Sequence, residues 1–309
     1  MRTATRRKLF AGPLYPELEI SMELAPQTYR YRVVDVFTEH PLEGNPLAVF
    51  PDARGLNAST MQRIAKELNL SETVFVLPSN RSDCIAHLRI FTPAREMPFA
   101  GHPTIGASYV LLDEGAAPRN DFLLEELIGP IPIRIEGGSR PLIWLRTPPV
   151  EEGRTVDPDI CARALGLSPS DLANIPPQIL SAGNPNLYIA LKDIAAVDCA
   201  WLSSVGPLKA EPGELLCVFV FARTPEGVYS RMFAPEHGVI EDPATGSATG
   251  PLAAYLMKHG LVSNEPGTRF LSEQGTKMGR RSILHVYIND ESIEVGGYVT
   301  PLVEARMRF

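Results

Sequence analysis

The chain has 309 residues, 44% of them hydrophobic and 21% charged, with a net charge of −7. That is the composition of a globular protein long enough for two domains, and an acidic chain with no Lys/Arg-rich block beyond its N-terminus is a poor partner for nucleic acid. No apolar run approaches the roughly 20 residues that cross a bilayer, and the cysteines and histidines lack disulfide-framework or metal-ligand spacing, so no membrane and no metal are expected, and the location expected is cytoplasmic.

Residues 1–29 are basic at first, carry no acid before Glu17 and have no long apolar core; they read as an extension ahead of the folded part. Short β-rich runs follow: VVDVF at 33–37, LAVF at 47–50 after the turn Gly44-Asn45-Pro46, and TVFVL at 73–77. Between the last two, ASTMQRIAKEL at 58–68 has helical spacing. AHLRIFTP at 86–93 is a strand leading to the helix PTIGASYVLL at 103–112, and IPIRI at 131–135 and LIWL at 142–145 are further strands. TPPVEEGRTVDP at 147–158 reads as a linker, and DPDICARALG at 157–166 as a helix with a glycine stop. Strand signals return in AGNPNLYI at 182–189, LCVFVFA at 216–222 and YSRMFAP at 229–235, before the helix TGSATGPLAAYLMKHG at 245–260. The β-rich tail at 293–309 is a candidate to cross back to the first strands.

The order of these motifs hides a long repeat. Asn184 follows Asn45 by 139 residues, Glu214 follows Glu72 and Phe233 follows Phe91 by 142, and Asp242 follows His102 and Gly246 follows Gly106 by 140. Four motifs at nearly one offset indicate duplication of a unit of about 140 residues. The expected fold is α+β, with two pseudo-symmetric domains at 30–148 and 149–296 and residues 297–309 a candidate to complete the first. Strands outnumber helices and one helix per unit is notably apolar, which fits a curled sheet wrapped around a central helix.

The stretch VIEDPATGSATG at 239–250 raises the chemical question. Asp242 followed by Pro243 is an ordinary way to start a helix. A second meaning comes from GHPTIGAS at 101–108, which starts the matching helix. Duplicated domains commonly hold a ligand in the cleft between them, and helix N-termini facing that cleft would offer free N–H groups to a carboxylate. Gly246 lets backbone come close, and Thr245 and Ser247 add hydroxyls. His102 and Asp242 are then two titratable groups at matched places, as proton transfer requires. Glu72, in NLSETVFVLP, is a carboxylate at the head of an apolar strand; periodicity does not choose between it and Glu214.

GNPLAVF, NLSETVFV, RIFTPAREMPFAGHPTIGAS and RMFAPEHGVIEDPATGSA closely resemble the PhzF (phenazine biosynthesis) family, over about residues 30–309. The resemblance implies two domains of the diaminopimelate-epimerase-like fold, each a curled, barrel-like sheet around a central helix. It further implies a cofactor-independent isomerase that moves a proton within a small cyclic or unsaturated carboxylate, as in the isomerisation of trans-2,3-dihydro-3-hydroxyanthranilate. Glu72 matches that family's acid/base, and His102, Asp242 and Ser247 match its other site positions. Ser71, Gly101, Thr245 and Gly246 are the further expected substrate contacts, no cofactor is expected, and a homodimer is the expected assembly. Racemases of related fold use one cysteine from each repeat; GHPTIGAS and DPATGSATG have none, and Cys84 and Cys217 fall in strands, so no cysteine is expected in the cleft. The alternatives are a non-thiol epimerase or racemase of a small carboxylate, and a non-catalytic module that binds a small anion.

Overall fold

The computed structural model describes residues 27–210, 213, 215–290 and 292–309. Its first half runs β1 (Thr28–Val36), β2 (Asn45–Phe50), α1 (Ala58–Leu68), β3 (Glu72–Leu77), β4 (Ala86–Phe91), β5 (Glu96–Met97), α2 (Gly101–Asp113), β6 (Phe122–Glu126), β7 (Gly129–Glu136) and β8 (Leu142–Arg146). The second runs β9 (Glu151–Thr155), α3 (Pro158–Ala164), β10 (Gln178–Ser181), β11 (Pro185–Ala190), α4 (Ile194–Cys199), β12 (Cys217–Thr224), β13 (Gly227–Ala234), β14 (Val239–Asp242), α5 (Gly246–Lys258), β15 (Arg269–Gln274), β16 (Ser282–Ile288), β17 (Ile293–Gly297) and β18 (Val299–Arg308). Among the described residues no helix is long and apolar enough to cross a membrane.

The two halves share one pairing scheme. In each, two strands run parallel (β2 with β3, β11 with β12), a hairpin follows, and the hairpin's second strand pairs in parallel with the strand after the central helix (β4 with β6, β13 with β15). β8 and β17 join the halves antiparallel. β9 pairs with β10 at the start of the second half, and β18, the last strand of the chain, crosses back to pair with β1 of the first. The segment read as a linker thus contains β9, and β1 begins at Thr28, inside the segment read as an extension.

Sequence patterning accounts for the helices. In α1 the buried residues Met61, Ile64 and Ala65 fall on one stripe, while Asn57 caps the start by accepting from the Thr60 N–H. α2 and α5 are buried nearly all round, so they run through the middle of their halves rather than over the surface. Ile105, Ala107, Val110 and Leu111 of α2 share a core with Val34, Val36, Leu47 and Val74 of the first sheet. Ala248, Leu252, Ala253 and Leu256 of α5 do the same with Tyr188, Phe219 and Phe221 of the second.

Strand register corrects the repeat alignment. Leu47, two residues beyond Asn45, pairs with Glu72, and Asn186, two beyond Asn184, pairs with Cys217. Independently, Thr73 faces Phe91 and Val218 faces Phe233. Both ladders make Cys217 the equivalent of Glu72; Glu214, matched to Glu72 in the sequence, lies outside the described residues. Ile90 faces Met97 and Met232 faces Asp242, so Met97 is the counterpart of Asp242. The central helices have 13 residues each and start at Gly101 and Gly246, which sets Ser247 against His102. Loop insertions displaced the similar-looking motifs; hydrogen-bonded ladders cannot absorb an insertion in this way.

Candidate active site

Glu72 is delivered by the end of α1. Asn69 takes a left-handed conformation (φ 51°) and its N–H bonds to the Ala65 carbonyl, which stops the helix and leaves Leu70 and Ser71 to lead into β3. Thr73 to Val76 are buried in sequence, so the Glu72 carboxyl is fixed at the edge of a dry sheet. Its Oε2 lies 3.3 Å from Nδ1 of His102, whose side chain is 3% exposed.

Asn45, the first residue of β2, ties the two halves together. Its Nδ2 donates to Asp242 Oδ1 at 2.8 Å and to the Ala244 carbonyl at 2.9 Å, and stands 3.5 Å from His102 Nδ1. An amide nitrogen has two hydrogens, both committed in the shorter contacts, so His102 Nδ1 is left to Glu72. Asp242 closes β14; Thr245 Oγ1 donates to its Oδ2 at 2.5 Å, and the Ser71 hydroxyl also bonds to the carboxylate. Gln274 of β15 donates to the Asp242 carbonyl at 2.7 Å and accepts from the Thr245 N–H at 3.2 Å, which locks the chain between them.

The electrostatics follow from burial. Loss of water raises Glu72 well above the usual carboxylate range, and the charge of Asp242 raises it further. Burial lifts Asp242 to about 6, against hydrogen bonds from Thr245, Asn45 and Ser71 that favour its ionised form. His102 is pushed down to about 3 by burial, outweighing the Pro46 backbone, so its imidazole is neutral at physiological pH. Asp242, which three hydrogen bonds favour in its ionised form, supplies the charge that adds to the elevation of Glu72.

The tips of α2 and α5 meet above this group. A Cβ added to Gly101 would lie 2.7 Å from the Ser247 nitrogen, and one added to Gly246 would lie 3.1 Å from the Gly101 carbonyl carbon. Only glycine fits at Gly101, and a thiol-bearing residue has no room there. Ser71, Glu72, Asp242, Thr245 and Ser247 line a narrow cavity. His102 stands behind Glu72 rather than in the lining, and Gly101 and Gly246 form the tip-to-tip contact.

Cys217 also lines the cavity, against the expectation that no cysteine would. It reaches there because β12 starts where β3 starts in the other half. Burial pushes its thiol up to about 12, so it stays protonated. Asn184, Asn186, His237 and Met232 complete much of the second half's wall. Asn45 and Asn184 stood out in the sequence only as repeat markers, and nothing in it singled out Gln274. Among the described residues no group of three or more His, Cys, Asp or Glu is placed to hold a metal ion.

The family described as phenazine biosynthesis-like protein (PhzC-PhzF) matches residues 34–305. Trans-2,3-dihydro-3-hydroxyanthranilate isomerase of Pseudomonas chlororaphis is 39% identical over 262 residues, spanning 83% of this chain and 89% of that protein. Among solved structures, a PhzF-family protein of Bacillus anthracis superposes with a TM-score of 0.82 at 26% identity, covering 91% of this chain and 99% of that one. A predicted epimerase of Pseudomonas aeruginosa gives 0.79 at 34% identity over 90% of this chain and 99% of its own. With the duplicated fold of the diaminopimelate-epimerase type, the chain belongs to the PhzF family and is an isomerase.

Proposed function

We propose that this isomerase moves a proton between two carbons of a small cyclic or unsaturated carboxylate, with Glu72 as the acid/base and without a cofactor. The observation that carries the reading is the pair of Glu72 and Asp242, which line the same cavity and of which the first is raised by the charge of the second. A carboxylate near its ordinary pKa of about 4.3 is too weak a base to take a proton from carbon at neutral pH. Glu72, desolvated and faced by the charge of Asp242, is a much stronger one.

In the proposed step Glu72 takes a proton from the substrate. The C–H electron pair moves into the adjacent π system and toward the substrate carboxylate, and the protonated Glu72, after exchanging its proton with solvent, gives a proton to another carbon. Atoms and charge balance without an oxidant or reductant. His102, neutral and 3.3 Å from Glu72, orients that carboxyl and shares its proton. Asn45 and Thr245 hold Asp242 in place. The hydroxyl of Ser247 and the first amides of α5 receive the substrate carboxylate, since a helix N-terminus offers unbonded N–H groups and the positive end of the dipole.

The substrate proposed first is trans-2,3-dihydro-3-hydroxyanthranilate, because the relative at 39% identity is named for it. Turnover of this compound in D₂O, followed by NMR, tests the reading. Deuterium should enter the product at one new C–H position. No isomerisation of this compound or of related dihydro-carboxylates, with binding intact, would leave the anion-binding alternative standing. Inversion at one carbon without a shift of the double bond would favour an epimerase.

A further inference from the structure

Each half leaves its second hairpin strand through a proline turn, and each turn carries a nitrogen-bearing side chain four residues past an equivalent phenylalanine. In the first half this is Arg95, after Phe91; in the second it is His237, after Phe233. These two repeat equivalents touch: Arg95 Nη2 lies 3.1 Å from His237 Nδ1. A guanidinium has no acceptor, so Nδ1 takes the hydrogen bond on its lone pair and the ring proton sits on Nε2. Burial first, and then the Arg95 charge, hold His237 below its usual value, in keeping with a neutral ring.

His237 lines the cavity, and Arg95, half-buried like it, reaches the cavity edge through its contact with that ring. Arg95 has no carboxylate partner among the described residues. Its near neighbour Arg89, by contrast, is clamped by Glu96 through contacts of 2.6 and 2.7 Å. The Arg95 charge is felt inside the cavity, where it favours the thiolate of Cys217. The cavity also carries the acids Glu72 and Asp242, and Glu236 lies beside His237. An anion passing those acids gains from a cation at the rim, and an unclaimed guanidinium fork suits an oxygen anion.

We propose that Arg95 and His237 form a second subsite, at the cavity rim, which binds an anionic oxygen of the substrate. The substrate class then narrows to small molecules with two oxygen-acceptor groups, one at the α5 tip and one at the rim. The inference rests on the reading of this cavity as the substrate site.

Calorimetric titration of the full chain with malonate, succinate and glutarate, each against the monocarboxylate of equal length (propionate, butyrate, pentanoate), tests it without requiring turnover. At least one dicarboxylate should bind about tenfold or more tightly than its monocarboxylate, the range of a charge-assisted hydrogen bond. Arg95→Gln should abolish that preference while leaving monocarboxylate binding within about threefold. Arg95→Lys, which keeps the charge but not the fork, should retain part of it. Ser247→Ala should weaken both ligand types alike. Equal affinities in the wild type, or a preference that survives Arg95→Gln, overturns the subsite. Failure of deuterium incorporation would remove the proton-transfer reading and leave this result standing, so the two are judged apart.

Discussion

Glu72 and Cys217 occupy the same position in the two halves and line the same cavity. Burial raises the pKa of both, with opposite consequences. For a carboxyl the shift moves the group toward neutrality, where it gives and takes a proton readily. For the thiol it leads to about 12, where the group is inert. The pseudo-twofold site is therefore chemically one-sided.

Glu72→Gln keeps the size of the side chain and removes its titration. Turnover should fall by the roughly 10²–10⁴-fold of lost general acid–base catalysis, with substrate affinity little changed. Steady-state kinetics beside direct binding checks this. A variant with more than half of wild-type kcat would end the assignment of Glu72 as the acid/base.

Asp242→Asn removes the like charge that adds to the elevation of Glu72. The base must be deprotonated to act, so the acid limb of kcat/KM against pH should move to lower pH. Burial remains the larger cause, so the limb should not return to the ordinary carboxylate range. An unmoved limb, or one displaced upward, contradicts the proposed pairing.

Mild alkylation should leave turnover intact although a cysteine lines the site. With a pKa of about 12, Cys217 is thiolate in only about one molecule in 10⁵ at neutral pH, and its thiol is buried. Cys199 is the exposed thiol and should be labelled first. Peptide mass mapping after iodoacetamide should find the label at Cys199 while activity persists. Inactivation that tracks labelling of Cys217 runs against this account.

Glu126, at the end of β6, is a buried carboxyl beneath the first turn of α2. Thr104 Oγ1 donates to it at 2.5 Å, yet burial dominates and raises it to about 8. A raised folded-state pKa means the folded form binds the proton more tightly than the unfolded chain. Its contribution to stability is thus complete below the unfolded value near 4.5 and is lost as pH rises through about 8. The wild-type Tm should fall between about pH 4.5 and pH 8, and Glu126→Gln should flatten that slope. Equal slopes in differential scanning calorimetry would show that Glu126 does not titrate in this window.

Much of this protein was decided locally, and the sequence by itself determined it. The one-sided stripe of α1, the uniformly apolar central helices, the Gly-Asn-Pro turns and the duplicated order of motifs all follow from spacing and turn chemistry. The motif resemblance to PhzF proteins drew Glu72, His102, Asp242 and Ser247 from that same local information. What only the tertiary structure decided depends on non-local register. Motif offsets drift by several residues because loops absorb insertions, so Glu72 was matched with Glu214 and His102 with Asp242. The ladders instead make Cys217 the counterpart of Glu72, and the helix starts make Ser247 the counterpart of His102. Asn45 and Arg95 acquired their partners Asp242 and His237, 197 and 142 residues away, only when the halves closed on each other. The strong basicity of Glu72 likewise comes from water excluded by residues distant in the chain, a property of the folded cavity that no local pattern encodes.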